Sequence, residues 1–141
     1  MYKSIEVYTE SDFSRALEEA KKQYPIVFAY FKGAVESCPY MENLSTSEAK
    51  SAFSWCPDCV VSGKIIYPSL KALTADREDI AVLDCEVVRE GYKGNPDHPY
   101  RPYLENGIPS LTLMTDNALP RIGCESCQEE DLVRDFIKKH I

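Results

Sequence analysis

The chain lacks any apolar run long enough to cross a bilayer: the longest, Ile26 to Phe31, falls far short of the roughly 20 residues a spanning helix requires. No long apolar segment follows the opening Met1-Tyr2-Lys3-Ser4-Ile5-Glu6 either, so no membrane association is expected and the cytoplasm is the expected compartment. Positive charge is also in short supply. Lys and Arg total 16 against 23 Asp and Glu, a formal charge of −7 with a sequence pI near 4.9. Such a surface repels phosphate backbones and anionic lipids, so nucleic acid is not expected as a partner. There is no glycine-rich phosphate loop, no internal repeat and no low-complexity segment. What is there is 141 residues, 44% hydrophobic and 11% aromatic. That suffices for a core in one domain spanning residues 1–141, expected as a monomer.

Six cysteines stand out in a chain expected in a reducing compartment, where thiols stay free for redox or metal chemistry. Two of them lie in Trp55-Cys56-Pro57-Asp58-Cys59, where a polar stretch gives way to a helical pattern. A cysteine at a helix start lies over backbone N–H groups that have no intrahelical partner, and their partial positive charge favours thiolate. Cys56 is therefore the candidate nucleophile. Cys59, about one turn on, is the candidate resolving thiol, in position to attack a mixed disulfide at Cys56. Pro57 fits the first helical position, where its missing N–H costs nothing. Asp58 acts in two directions, stabilising the helix start while opposing a thiolate at Cys56. Half of a zinc site, or two ordinary buried cysteines, are the competing readings of the same pentapeptide.

Along the chain, Lys3 to Tyr8 reads as a short strand. A helix follows to about Lys22, capped by Thr9 or Ser11, with Phe13, Leu17 and Ala20 as its apolar stripe. Ile26 to Phe31 reads as a central strand covered on both faces. It carries no acidic residue, so a proton acceptor for Cys59 must come from elsewhere. Gly33 to Ser54 reads as a long active-site loop, with Ser45-x-x-Glu48 capping a short helix over Ala49 to Phe53 and with Cys38 as a surface thiol or a third redox partner. The CxxC helix is expected to run to about Leu73, burying Val60, Ile65, Ile66 and Leu70, with Gly63 a weak point and a kink at Tyr67-Pro68. Ile80 to Val87 reads as a strand in which Cys85 is an inert buried thiol and Asp84 and Glu86 are solvated charges. Arg89 to Pro99 reads as a loop with His98 on the surface, leading to a short helix near Tyr100 to Glu105. Pro109, just before the strand Leu111 to Met114, marks either a sheet edge or a cis bond. Asp116-Asn117 turns the chain into a second short strand ending near Gly123. Ser126-x-x-Glu129 reads as a capping box for a last helix that buries Leu132, Val133, Phe136 and Ile137.

This order, β-α-β-α-β-α-β-β-α with CxxC after the second strand and Ile108-Pro109 before the fourth, resembles the thioredoxin fold, an α/β class with a central mixed sheet flanked by helices. The string Trp-Cys-Pro-Asp-Cys, together with Phe28-Ala29-Tyr30-Phe31 and Gly33, Cys85, Tyr92 with Pro96, Tyr100-Arg101 and the Pro109 turn, resembles the thioredoxin domain-containing protein 17 family over nearly the whole chain. The resemblance implies a cytosolic disulfide reductase recharged by thioredoxin reductase, with electrons coming indirectly from NADPH and no bound cofactor or metal. It implies small disulfides or selected protein disulfides as substrates. It also implies that Cys56 attacks, Cys59 resolves, Trp55 shapes the rim with Pro57 and Asp58, and a cis Pro109 packs against the sulfurs while the backbone around Ile108 receives an extended substrate. Three departures bear on substrate choice: the length of the Gly33 to Ser54 loop, Lys93 and Asn95 in place of Trp and Asp, and the additional Cys124.

Cys124-Glu125-Ser126-Cys127 is a second CxxC. If the fourth strand leaves the site at Pro109, the antiparallel fifth must return to the same rim, so both motifs are expected at one end of the sheet. The capping box would also put Cys127 in the first turn of a helix, favouring its thiolate, with Glu125 and Glu129 opposing. Three readings follow: Cys127 in the core with Cys124 a rim thiol, a second redox pair, or a four-thiolate zinc site needing all sulfurs about 2.3 Å from one point. The function expected is enzymatic. A binding module with idle or zinc-bound cysteines is the alternative from another class.

Overall fold

The structure is a computed structural model that describes residues 1–35 and 46–141. Its strands are β1 (Lys3–Val7), β2 (Ile26–Gly33), β3 (Ile80–Val87), β4 (Ser110–Leu113) and β5 (Arg121–Ile122); its helices are α1 (Phe13–Gln23), α2 (Ser47–Ser51), α3 (Pro57–Leu73), α4 (Arg89–Tyr92) and α5 (Glu130–His140). The sheet order is β1-β3-β2-β4-β5. β1, β3 and β2 run parallel, β4 is antiparallel to β2, and β5 is antiparallel to β4. The mixed sheet flanked by helices is the architecture the sequence pattern implied.

The central strand β2 and the first half of β3 are apolar because the sheet is covered on both faces. On one face Val27, Ala29 and Phe31 pack with Leu83, Cys85, Phe13 of α1 and Tyr100. On the other, Phe28, Tyr30 and Val82 meet Ile66 and Leu70 of α3 and Val133 and Ile137 of α5. Alternate residues of one strand thus feed two cores, and α3 is held from below by one of them. Among the described residues no helix is long and apolar enough to cross a membrane.

Several local expectations are corrected. Asp84 is not solvated: its carboxylate is 2.8 Å from the Lys32 ammonium, the two side chains are 2% and 3% exposed, and Tyr67 of α3 donates its hydroxyl to both Asp84 oxygens. Glu86 stands 3.8 Å from the same ammonium and is largely buried; that burial raises its carboxyl pKa above the usual range. His98 is not a surface residue. It is 3% exposed, its Nδ1 accepts the Tyr100 N–H, and its Nε2 therefore carries the proton facing Glu10 at 2.7 Å. Leu132 faces solvent, while Val133, Phe136 and Ile137 are buried.

Helix ends also differ. Neither Thr9 nor Ser11 caps α1, which is entered through a 3-10 turn at Glu10–Asp12 with Asp12 at the cap position. Thr46 caps α2, its hydroxyl accepting the Ala49 N–H; Ser45 and Cys38 lie outside the described residues. The Ser126 capping box does not form. Residues Ser126–Gln128 make a 3-10 turn and Glu129 starts α5 with no side-chain cap. Arg89–Tyr92, expected as loop, is a short helix, whereas the expected helix near Tyr100 shrinks to a 3-10 turn at Arg101–Tyr103. Pro68 lies within α3, which continues through it, and Gly63 is a contact point, since a Cβ there would lie 2.7 Å from the Ser51 hydroxyl of α2.

Candidate functional site

The site begins where β2 ends. Gly33 accepts the Ser54 hydroxyl on its carbonyl at 2.8 Å, Ala34 accepts the Trp55 N–H at 3.2 Å, and the Trp55 indole N–H donates to the Val87 carbonyl at 2.7 Å. Trp55 is thereby tied to the ends of β2 and β3, and the next residue, Cys56, opens α3. The close approach depends on Gly33. A Cβ there would stand 2.7 Å from the Ser54 hydroxyl, 2.8 Å from the Cys56 Cβ and 3.0 Å from the Trp55 ring. Gly33→Ala is expected to cost about 1–3 kcal/mol of stability through overpacking and to displace Cys56. Thermal melts together with Cys56 alkylation rates check it, and an unchanged variant contradicts it.

Cys56 is itself the N-cap of α3. Its Sγ accepts the Cys59 N–H at 3.2 Å, and its carbonyl accepts the Cys59 and Val60 N–H groups. Pro57 fills the first helical position. A sulfur in that place receives a backbone donor and the positive end of the helix dipole, both of which favour its charged form. Cys59 is one turn on, its Cα 5.2 Å from that of Cys56, and the two sulfurs are paired as a disulfide. Gly33 donates its N–H toward Cys59 Sγ at 3.3 Å. Cys59 is 1% exposed and Cys56 7%, so Cys56 is the more accessible.

A cleft of about 280 Å³ opens beside Cys56, lined also by Trp55, Pro57, Asp58, Tyr92 and Ile108. The Ile108–Pro109 peptide is cis; Ile108 faces the cleft and Pro109 is buried. A larger cavity, about 530 Å³, lies away from the cysteines between β1, α2 and α3, lined by Tyr2, Glu6 and Lys71 among others. It holds neither cysteine of the pair. Within the Gly33 to Ser54 segment, α2 packs on that flank, through Ser47 to Glu6 at 2.7 Å and the Lys71–Glu48 ion pair, while its two ends, Gly33 with Ala34 at one and Ser54 at the other, adjoin Cys56.

The second CxxC reaches the same rim, as the antiparallel return of β5 implied. Cys124 donates its S–H to Asp58 Oδ2 at 3.3 Å, and Gln128 donates to the Cys124 carbonyl at 3.0 Å. Cys127 does not start a helix and is fully buried, its S–H directed to the Ile122 carbonyl at 3.5 Å. Both are free thiols in which burial is the leading cause of a raised pKa: to about 11 for Cys124, with Asp58 adding to it, and to about 12 for Cys127. The thiolate argument offered for Cys127 therefore fails. Among the described residues no group of three or more His, Cys, Asp or Glu is arranged to hold a metal. Cys85 is a buried thiol in β3, and burial pushes its pKa well up.

An acid proton must leave before a sulfur alkylates, so a thiol near 11 reacts slowly at neutral pH and faster as pH rises toward 11. In the reduced protein, iodoacetamide at pH 7 is expected to label Cys56 while sparing Cys124, with Cys124 labelling increasing about tenfold per pH unit between 8 and 10. Peptide mass spectrometry reads this. Faster labelling of Cys124 than of Cys56 at pH 7 contradicts it.

The family model described as "Thioredoxin domain-containing protein 17-like, thioredoxin domain" matches residues 6–139. Thioredoxin domain-containing protein 17 of Mus musculus is 29% identical over 128 residues, 90% of this chain and 89% of that protein. The thioredoxin-like protein Clot of Oryza sativa subsp. japonica is 30% identical over 95 residues, 64% of this chain and 68% of that protein. In fold, the chain is similar to the reduced thioredoxin pre-protein of Schistosoma mansoni, with a TM-score of 0.55 and 20% identity over 99% of each chain.

Proposed function

The chain belongs to the thioredoxin domain-containing protein 17-like family, and on that premise we propose that it is a thiol–disulfide oxidoreductase working as a disulfide reductase through Cys56 and Cys59. The carrying observation is Cys56 as the sulfur cap of α3, accepting the Cys59 N–H and opening on the cleft. The Cys56 thiolate attacks a substrate disulfide, forming a Cys56–substrate S–S bond and expelling one substrate thiolate, which takes up a proton. Cys59 gives up its proton and attacks Cys56 Sγ, forming the Cys56–Cys59 disulfide and releasing the second substrate thiol. Two electrons pass from protein to substrate.

Trp55, Pro57, Asp58 and Ile108 line the cleft where the substrate would lie, with Pro109 supporting the turn beneath. Substrates are small disulfides or selected protein disulfides. The dithiol is regenerated by thioredoxin reductase, with NADPH as the electron source and no cofactor on this chain. Such a cycle suits a monomer in the reducing cytoplasm. The test is NADPH oxidation with thioredoxin reductase, this protein and cystine, beside Cys56→Ser and a blank without protein. Turnover that vanishes in Cys56→Ser is expected. Wild-type turnover equal to the blank overturns the reductase assignment, and a stable partner complex that survives loss of both thiols would favour a binding module.

A further inference from the structure

The protein is acidic as a whole, yet the cleft beside Cys56 is not. Its charged lining residues are Lys93, Arg101 and Asp58, two cations against one anion, in a chain where acids outnumber bases 23 to 16. The anion is already engaged, since Asp58 Oδ2 accepts the Cys124 S–H.

The cations are presented differently. Arg101 is fixed: Nε donates to the Asn95 carbonyl at 3.1 Å, one terminal nitrogen to the Tyr92 hydroxyl and the other to the Tyr92 carbonyl, both at 3.0 Å, and the guanidinium carbon stands 3.9 Å from the Tyr92 ring centroid. Of five guanidinium N–H bonds three are used, so two remain for a ligand on a cation whose orientation is already settled. Lys93 is exposed and forms no ion pair among the described residues. An exposed ammonium and an immobilised guanidinium thus share one small cleft with the accessible sulfur.

We infer that this cleft selects disulfides carrying a carboxylate near the S–S bond, with Lys93 as the specificity-determining residue and Arg101 as a preset second cation. The inference rests on the dithiol reading above and specifies its substrate class. An anionic disulfide gains at encounter from the local positive field on an otherwise repelling surface, and gains again when its carboxylate docks as its sulfur meets Cys56. A cationic disulfide meets the opposite of both. The chemistry is unchanged: one S–S bond of the substrate breaks, the Cys56–Cys59 bond forms, and two electrons and two protons leave with the two product thiols.

The test uses the full chain reduced with dithiothreitol and desalted, mixed with three small disulfides: dithiodipropionate with two carboxylates, neutral hydroxyethyl disulfide, and cystamine with two ammonium groups. Each rate is read from the fluorescence of Trp55, the single tryptophan, and divided by the rate of dithiothreitol with the same disulfide to remove leaving-group differences. At low ionic strength the normalised rates are expected to fall from dianion to neutral to dication over about tenfold, each exposed charge pair contributing a factor of about 2–5. Lys93→Ala is expected to compress the span to about threefold and Lys93→Glu to reverse the order, while 0.5 M salt flattens the wild-type preference. The same span in wild type and in both Lys93 variants overturns the inference while leaving the reductase reading standing. Failure of the neutral disulfide, along with the other two, to oxidise the dithiol overturns both.

Discussion

Cys56→Ser is expected to lower disulfide reduction by a factor on the order of 10³ or more, because a serine hydroxyl in the same place neither ionises near neutral pH nor forms the covalent intermediate. The fold should be unaffected. Serine is a good N-cap, so the Cys59 N–H keeps an acceptor at the start of α3. The effect is therefore confined to kcat, with the melting temperature nearly that of the reduced wild type, which like the variant lacks the Cys56–Cys59 bond, a separation that misfolding cannot imitate. Cys124→Ser is the matched control. Its thiol donates to Asp58 and accepts from the Gln128 amide at the rim, so turnover should stay within about threefold of wild type, the scale of a weak hydrogen bond. If Cys124→Ser lost as much as Cys56→Ser, the second CxxC would be part of the obligatory electron path.

The second large effect is on stability. Asp84→Asn leaves the Lys32 ammonium buried with Glu86 at 3.8 Å as its remaining anion, and removing one partner of a buried pair costs about 3–5 kcal/mol. Tyr67 also loses a charged acceptor for its hydroxyl, weakening a tie between α3 and the sheet. The triple variant Lys32→Met, Asp84→Leu and Tyr67→Phe removes both charges and the hydroxyl they hold and should recover most of that loss, since a well-packed apolar cluster is often as stable as the ions. Urea titrations of the two variants decide this, and an Asp84→Asn protein within 1 kcal/mol of wild type contradicts the burial argument. The site should register the change as well: Lys32 directly precedes Gly33, whose N–H faces Cys59.

What was legible in the sequence was carried by local rules. Ile26–Phe31 declares itself as an inner strand because burial on both faces demands a continuous apolar run, and Ile80–Val87 is legible as a strand from its apolar first half. Pro57 after Cys56 marks the first turn of α3, which places both cysteines correctly. The shared rim of the two CxxC motifs followed from the antiparallel return of β5 alone.

What was not legible depended on pairings remote in sequence. Asp84 looks like a solvated charge until the register of β3 on β2 brings it beside Lys32, and His98 looks like a loop residue until Glu10 meets its ring. Ser126 misled because its capping pattern competes with a turn closed by the Cys127 N–H on the Gly123 carbonyl, which spends those residues before α5 begins. The need for glycine at position 33 is a three-body contact with Ser54, Trp55 and Cys56; its only signal was a glycine closing an apolar strand.

The central claim is that Cys56 forms the mixed disulfide and Cys59 resolves it, and the most direct measurement is a trap. Cys59→Ser, reduced and then exposed to hydroxyethyl disulfide, should retain one mercaptoethanol adduct, located on the Cys56 peptide by mass spectrometry and discharged by dithiothreitol. The wild-type chain treated in the same way should carry none, its Cys56 and Cys59 being joined instead. An adduct lodged on Cys124, or a Cys59→Ser protein that takes up no adduct at Cys56, would contradict the account.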